Sequence, residues 1–469
     1  MGKAARLFNG SAEETLYSRI TPSAAQREFL QTQWNALADY LKLNLRQNYG
    51  YGISTWLQGS YKYGTLIKPV HIGEEYDVDV GVYFEWPQDD SARPAPRQLR
   101  DWVQRELLTY QTLVPELKIV EEPPKERCSR AIYEKHFHID TPIYHLDQDL
   151  DQRRLACWSN KWEASDPKNL YRWFKDAVPE ANREQLRRTV RYLKAWAAVA
   201  FEDADASRPS SILLTVLATE ELKKIFWWSV LDTDDEDLLT NVIAKMHNRL
   251  NEDPAVINPV DAKENLNRIS TENWDAFLLR LRTLHECAQR AKEAADEPAA
   301  ALIWSEAFSF LMPLPEVEEV EIVEEGTSRA LMQLPDIQID VYGRNPRRHI
   351  GTFKNHVPSV VKDCDLEFRI TNPQIVPDFA VVEWTVRNSD HEADEVGDLG
   401  HRRGGIRQLT AEEHTRYAGR HYMDCVIRVH GSVYAVRRVP VTIRDVALPA
   451  RNPPKPSYTK LRSLLRRRR

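Results

Sequence analysis

Between residues 21 and 49, apolar side chains recur three and four positions apart, at Leu30, Trp34, Leu37, Leu41 and Leu45. That spacing predicts one long helix. Thr21 before Pro22 reads as its N-cap and first turn, and Asn48 to Gly52 as its stop. The pattern then shortens. STWLQ is strand-like and GSYKYGTLIKP reads as a loop, while YDVDVGVYF alternates so regularly that Tyr76, Val78, Val80, Val82 and Phe84 share one face of a strand. Asp77 and Asp79 share the other. A helix around 97–111 and further strands, EKHFHIDTPIY among them, precede a helical stretch from about residue 167 to 312, where Leu186, Val190, Leu193 and Ala197 mark a buried stripe. After Pro313 and Pro315 the chain changes to short alternating runs, LEFRIT, AVVEWTVRN and MDCVIRVHGSVYAVRRVPVTI, separated by turns such as Thr371-Asn372-Pro373 and His430-Gly431. This last part suits a β-sandwich. No internal repeat of 20–50 residues is visible.

The 469 residues allow two to four domains at roughly 100–200 residues each. With 42% hydrophobic and 29% charged residues, bulk disorder, a collagen and a membrane-spanning bundle are excluded. No run approaches the roughly 18–20 apolar residues of a spanning helix, and MGKAARLFNGSAEET lacks an apolar signal core, so a cytoplasmic protein with no membrane partner is expected. Five scattered cysteines without a CxxC pair argue against a disulfide framework or a structural zinc. Cys364 and Cys425 fall in the same β segment and are expected as buried thiols. A net charge of -6 argues against a surface built wholly to coat nucleic acid, but leaves room for a local basic groove. The charge is uneven: Glu316, Glu318, Glu319, Glu321, Glu324 and Glu325 crowd one segment, and the chain ends KLRSLLRRRR, a solubilising tail or a basic binding segment. The expected division is 1–166, 167–316, an acidic linker 317–330, a β domain 331–449 and a basic tail 450–469.

Two carboxylates at period-two spacing aim at one point, and hard oxygen donors suit Mg²⁺, which keeps waters and substrate phosphates in its shell. Asp77 and Asp79 have this spacing, and Asp140, in FHIDTPIY, is the candidate third carboxylate of a two-metal site. The backbone and hydroxyl of Gly59-Ser60 would hold phosphates. Taken alone, the Asp-x-Asp pair reads more readily as a solvated polar face opposite an apolar one. His136, His138 and Asp140 alternate as zinc ligands would, but His145 lies beyond Pro142 and out of phase, so the histidines are expected to line the cleft or pack. Tyr61 and Tyr63 either stack on a base or pack, and Phe226, Trp227 and Trp228 read as core.

QGSYKYGT, then EYDVDV, then HIDTPIY resemble the nucleotidyltransferases of the DNA polymerase β superfamily. The likeness is greatest to the bacterial cyclic-GMP-AMP-synthase-like enzymes (CD-NTases), relatives of oligoadenylate synthetase. Gly64 and Thr65 match that family's second small pair. LRRTVRYLKAW resembles its helix with a triphosphate-contacting lysine, here Lys194, and RPSSILLTVLATE its phosphate-contacting serine, Ser211 with Ser210 as the near alternative. VINPVDAKENLN resembles a further family segment, here Asn258, Pro259, Glu264, Asn265 and Leu266. EWTVRNSDHEA, HRRGGIRQ and EEHTRYAGRHYMDCVIR resemble the AGS-C domain, a sensor module, and Arg402, Arg403 and Arg407 in a Gly-containing loop suit either an anion or solvent.

The resemblance implies an α+β, bilobal polymerase-β-like nucleotidyltransferase, with a mixed α/β N-lobe and a helical C-lobe, followed by a β-sandwich-like domain. It implies Mg²⁺ or Mn²⁺ in a two-ion site on Asp77, Asp79 and Asp140, with Asp140 also taking the proton of the attacking hydroxyl. It implies nucleotide binding by Gln58, Gly59, Ser60, Lys194 and Ser211. The implied activity is joining of nucleoside triphosphates, ATP and/or GTP, into a cyclic oligonucleotide for antiphage signalling. An unidentified ligand would engage the C-terminal domain, and a downstream effector would be reached through the product. The rival readings are linear oligonucleotide synthesis, nucleotide addition to RNA or protein, and a non-catalytic ligand-sensing module.

Overall fold

The computed structural model describes residues 2–87, 93–134, 136–228, 233–315, 334–344, 346–430 and 432–447. The glutamate-rich segment, the basic tail and the side chains of Phe226, Trp227 and Trp228 lie outside what is described. The chain divides into two compact units, one of residues 1–321 with 395–399, the other of residues 322–394 with 400–469.

The first unit opens with α1 (Ala5–Asn9), α2 (Leu16–Ile20) and the long α3 (Ala24–Tyr49). Helix α3 starts two residues later than the sequence pattern suggested. Ser23 is its N-cap and forms a reciprocal capping box with Gln26, while Thr21 closes α2. Gly50, in the left-handed region at φ 77°, ends it. Strand β1 (Gly52–Gln58) runs directly into α4 (Gly59–Tyr63), so the segment read as loop begins with a helical turn. β2 (Tyr76–Glu85), α5 (Pro96–Gln111), β3 (Leu117–Val120), β4 (Cys128–Tyr133), β5 (Phe137–Asp147), β6 (Gln152–Ala156) and β7 (Trp162–Ala164) follow.

The sheet order is β1-β2-β5-β4-β3, with β6 beside β5 and β7 beside β6. β2 and β5 are parallel, so the chain must cross over between them, and α5 lies within that crossover. One face of the sheet carries Val78, Val80, Val82 and Ile139, which pack with Leu37 and Leu41 of α3 and Leu99 and Val103 of α5. Burying that face leaves the alternate residues, Asp77, Asp79, His138 and Asp140, on the opposite side.

The helical part comprises α6 (Pro167–Asp176), α7 (Arg183–Ala200), α8 (Ser211–Trp228), α9 (Asp235–Glu252), α10 (Thr271–Lys292) and α11 (Glu297–Phe308). A small hairpin of β8 (Ile257–Asn258) and β9 (Asp261–Asn265) interrupts it. Its core gathers the α7 stripe of Leu186, Val190, Leu193 and Ala197 with Phe8, Trp304 and Phe308. Glu236 is buried there and accepts hydrogen bonds from the Ala4 backbone N–H at 2.6 Å and from Trp304 Nε1–H at 2.7 Å. Among the described residues no helix is long and apolar enough to cross a membrane.

The second unit is β throughout most of its described length: β10 (Ile337–Arg344), β11 (Arg347–Lys354), β12 (Val357–Lys362), β13 (Cys364–Ile370), β14 (Val381–Arg387), β15 (Gly400–Ile406), β16 (Thr410–His414), β17 (Gly419–Val429) and β18 (Ser432–Ala447). A sheet ordered β11-β10-β13-β16 faces one ordered β12-β18-β17-β14-β15 across a shared core that includes Ile339, Phe368, Trp384, Cys425 and Val439. Cys364 and Cys425 are both buried free thiols. Arg402 and Arg403 lie in a strand rather than a loop, because β15 pairs antiparallel with β14, while Arg407 sits in the turn that follows. Each arginine there already faces a carboxylate: Arg402 lies 3.8 Å from Glu383, Arg403 3.3 Å from Glu413, and Arg407 pairs with Asp378.

Candidate active site

The parallel pairing of β2 and β5 is in register at the acidic residues, with Asp77 opposite His138 and Asp79 opposite Asp140. Four side chains from two strands are thereby set on one side of the sheet. β1 lies on the other flank of β2 and pairs Gln58 with Asp79, which delivers the Gly59-Ser60 turn to the same spot. Gly59 has φ 60°, and a Cβ there would lie 1.9 Å from Asp79 Oδ2, so only glycine fits.

Packing three carboxylates together has electrostatic consequences. Burial, then the charges of Asp77 and Asp140, pushes the Asp79 pKa well above the usual carboxylate range. The Asp77 side chain is half exposed; partial desolvation works the same way there, but the adjoining His138, then Arg130 and Lys125, outweigh it and hold its pKa below normal. Asp140 is buried and gripped by Arg130, whose Nε and Nη2 donate to Oδ1 and Oδ2 at 2.6 and 2.7 Å. Arg130 escaped the sequence reading. It sits opposite Asp140 in the antiparallel β4–β5 pair, a register that only the folded sheet defines. Asp77, His138 and Asp140 each offer a ligand atom within 4.8 Å of the others, forming a candidate metal-binding group. Hard carboxylate oxygens beside a phosphate-sized turn fit a divalent cation.

A cleft of about 1000 Å³ opens over these residues and is lined by Gly59, Ser60, Asp77, Asp79, Lys194 and Ser211. Asn258, Glu264 and Leu266 also line it, with Asn258 Nδ2–H donating to Glu264 Oε2 at 2.7 Å across the β8–β9 hairpin. Ser211 starts α8 and is exposed, whereas Lys194 is buried on α7, its Nζ donating to Thr65 O at 3.1 Å. Burial, then neighbouring Arg191, lowers the Lys194 pKa to about 8. Gln58 lines the cleft, but its carboxamide is engaged from below, donating to Tyr83 OH at 2.8 Å and accepting from Tyr144 OH at 3.2 Å. Tyr63 is stacked on Phe174 at 5.0 Å and Tyr61 lies edge-on to Trp34, so packing accounts for both rings.

Residues 53–144, which contain the whole acidic constellation, match the family described as the cyclic GMP-AMP synthase DncV-like nucleotidyltransferase domain. Residues 321–444 match the adenylyl/guanylyl and SMODS C-terminal sensor domain, AGS-C. The chain carries a DncV-like nucleotidyltransferase domain and an AGS-C domain. This nucleotidyltransferase is 26% identical over 440 residues to a cyclic GMP-AMP synthase of Escherichia albertii, covering 92% of this chain and 94% of the relative. It is 25% identical over 330 residues to a c-di-GMP synthase of Roseivirga ehrenbergii, covering 61% of this chain and 82% of that one. The crystal structure of the Vibrio cholerae DncV cyclic AMP-GMP synthase shares the fold, with a TM-score of 0.55 at 18% identity, over 66% of this chain and 97% of that one. The bilobal polymerase-β-like expectation therefore holds for the first unit.

Proposed function

We propose that this nucleotidyltransferase joins nucleoside triphosphates into a cyclic oligonucleotide, with Asp77, Asp79 and Asp140 as the metal-binding and catalytic carboxylates. The observation that carries this reading is the register of β2 against β5, which sets Asp79 opposite Asp140 beside the Gly59-Ser60 turn. In each transfer a ribose hydroxyl of the acceptor attacks the α-phosphorus of the donor. The new O–P bond forms as the bond to the β-phosphate oxygen breaks, and pyrophosphate leaves. A pair of divalent cations, Mg²⁺ or Mn²⁺, held by the three aspartates would neutralise phosphate charge and make the hydroxyl more acidic. Gly59 and Ser60 present backbone N–H groups and a hydroxyl to the terminal phosphates, while Lys194 and Ser211 approach from the helical side of the cleft. Asp140 keeps lone pairs beyond those used by Arg130 and takes the hydroxyl proton. The chain's contribution is chiefly positioning and charge neutralisation.

Purine triphosphates are the proposed substrates, because the relatives named above are synthases of cyclic GMP-AMP and c-di-GMP. In that reading the product carries an antiphage signal to an effector, and the AGS-C domain answers to a ligand. Incubation with labelled ATP, GTP, CTP and UTP and Mg²⁺ or Mn²⁺, followed by phosphatase, tests the activity. A phosphatase-resistant product, lost in Asp77→Asn with Asp79→Asn while the fold is retained, is expected. A phosphatase-sensitive ladder would replace the cyclic product with a linear one, and turnover in the double variant would overturn the metal-site assignment.

A further inference from the structure

His138 stands beside two of the three aspartates and has no role in the proposed transfer. Its side chain is buried, with 8% of it accessible. Nδ1 lies 2.7 Å from Glu75 Oε2. A carboxylate only accepts, so Nδ1 carries the proton of that bond, and Nε2 is the ring atom left to face the site. Nε2 is buried and lies 3.0 Å from Asp77 Oδ1, an ion-pair distance without a well-formed hydrogen bond. A buried imidazole nitrogen so placed is better satisfied by a partner that takes its lone pair, as a cation does. The atoms that surround it are Asp77 and Asp140 oxygens, all within 4.8 Å of one another, spacings that one cation can span. Arg130 donates one hydrogen bond to each oxygen of Asp140, and a carboxylate offers about four lone-pair sites.

Resting on the nucleotidyltransferase reading, we infer that His138 Nε2 is a metal ligand, making one position of the site a mixed carboxylate–imidazole site on Asp77, His138 and Asp140 that favours a transition-metal dication over Mg²⁺. Glu75 is then the positioning residue: its carboxylate holds Nδ1–H, fixes the ring orientation and raises the basicity of Nε2. The selectivity follows from donor chemistry. Mg²⁺ takes oxygen ligands in a strict octahedron and sheds water reluctantly, whereas first-row transition metals accept imidazole. Any proton on Nε2 is displaced when the ion binds, as for other metal-ligating histidines. The zinc reading of His136, His138 and Asp140 does not return with this assignment. His136 has an exposed side chain, and His138 faces Glu75, just before β2, and Asp77 of β2.

The test uses the full-length protein, with Mn²⁺ as probe and no nucleotide. Pulsed electron paramagnetic resonance of bound Mn²⁺ should show the nitrogen coupling of a ligating imidazole. His138→Asn should abolish that coupling and weaken Mn²⁺ binding on the order of 10-fold or more, with a much smaller change for Mg²⁺. Glu75→Gln leaves the ring in place and provides a second handle: it should keep the nitrogen coupling but lower Mn²⁺ affinity about 10-fold. Bound Mn²⁺ without nitrogen coupling, coupling that survives in His138→Asn, or unchanged Mn²⁺ affinity in Glu75→Gln would each overturn the inference while leaving the carboxylate site and the nucleotidyltransferase reading standing. Failure of the wild-type protein to bind Mn²⁺ at all, even after ATP is added, would overturn both.

Discussion

Gly59 and Asp79 approach so closely that a methyl group on Gly59 would sit 1.9 Å from Asp79 Oδ2, at a backbone angle of φ 60°. The Gly59-Ser60 turn and the Asp79 carboxylate are thus a single packed unit, and neither can shift without the other. Gly59→Ala should displace the carboxylate or unwind the start of α4. Product formation is expected to fall on the order of 100-fold, the cost of a misplacement of about 1 Å. The backbone penalty, about 1–2 kcal/mol, should lower the melting temperature only modestly. Initial rates and thermal melts of the same preparation separate the two effects.

Lys194 ties the helical side of the cleft to the phosphate turn through Thr65, whose own N–H donates to Ser60 O at 2.9 Å. Lys194→Ala should raise the KM of the donor triphosphate more than it lowers kcat. Because the ammonium loses its proton at about pH 8 in the free enzyme, kcat/KM of the wild type should decline above that pH, and Lys194→Ala should lack this limb. A pH profile of kcat/KM for both proteins checks the assignment.

Glu236 is buried in the helical part, away from the acidic group of β2 and β5. Burial, only partly offset by its bonds from Trp304 and Ala4, raises its pKa from 4.5 to about 7. Between those values the folded state keeps a proton that the unfolded state has released. The stabilising contribution is therefore complete below about pH 4.5 and is lost as pH rises through about 7. Its ceiling is roughly 3 kcal/mol. Denaturant midpoints of wild type and Glu236→Gln across pH 5–8 should show this component disappear in the variant.

In the β unit, Arg387 of β14 pairs with Asp424 of β17, and both side chains are essentially inaccessible. Asp424 also lies 3.8 Å from Arg438, so removing it takes the buried carboxylate away from two cations. Asp424→Ala should destabilise this unit by about 3–5 kcal/mol. The apolar double replacement Arg387→Met with Asp424→Leu should recover much of that loss. Hydrogen exchange of β14 and β17 amides in the full-length protein reports both outcomes.

Alternation alone placed Asp77 and Asp79 on one face of β2, because strand side chains alternate whatever lies next to the strand. The same local rule made the α7 stripe readable, and the shift to short alternating runs marked the start of the β part. Helix starts were less legible. Thr21-Pro22 and Ser23-Ala24 are both chemically competent, and the choice depended on whether Gln26 could complete the reciprocal box at Ser23. The arginine run in HRRGGIRQ looked like a loop because its glycines are turn residues, yet pairing with β14 placed Arg402 and Arg403 in a strand.

The sequence by itself determined which residue types face together within each element, and its motifs pointed to nucleotidyl transfer. Only the tertiary structure decided what meets across elements. The parallel register of β2 and β5 brings His138 to Asp77 and Asp140 to Asp79, and the β4–β5 register sets Arg130 on Asp140. The burial that perturbs Asp79, Lys194 and Glu236 was likewise set by packing. The physical reason is range: periodicity is a property of one backbone segment, whereas strand register and desolvation arise between segments far apart in the chain.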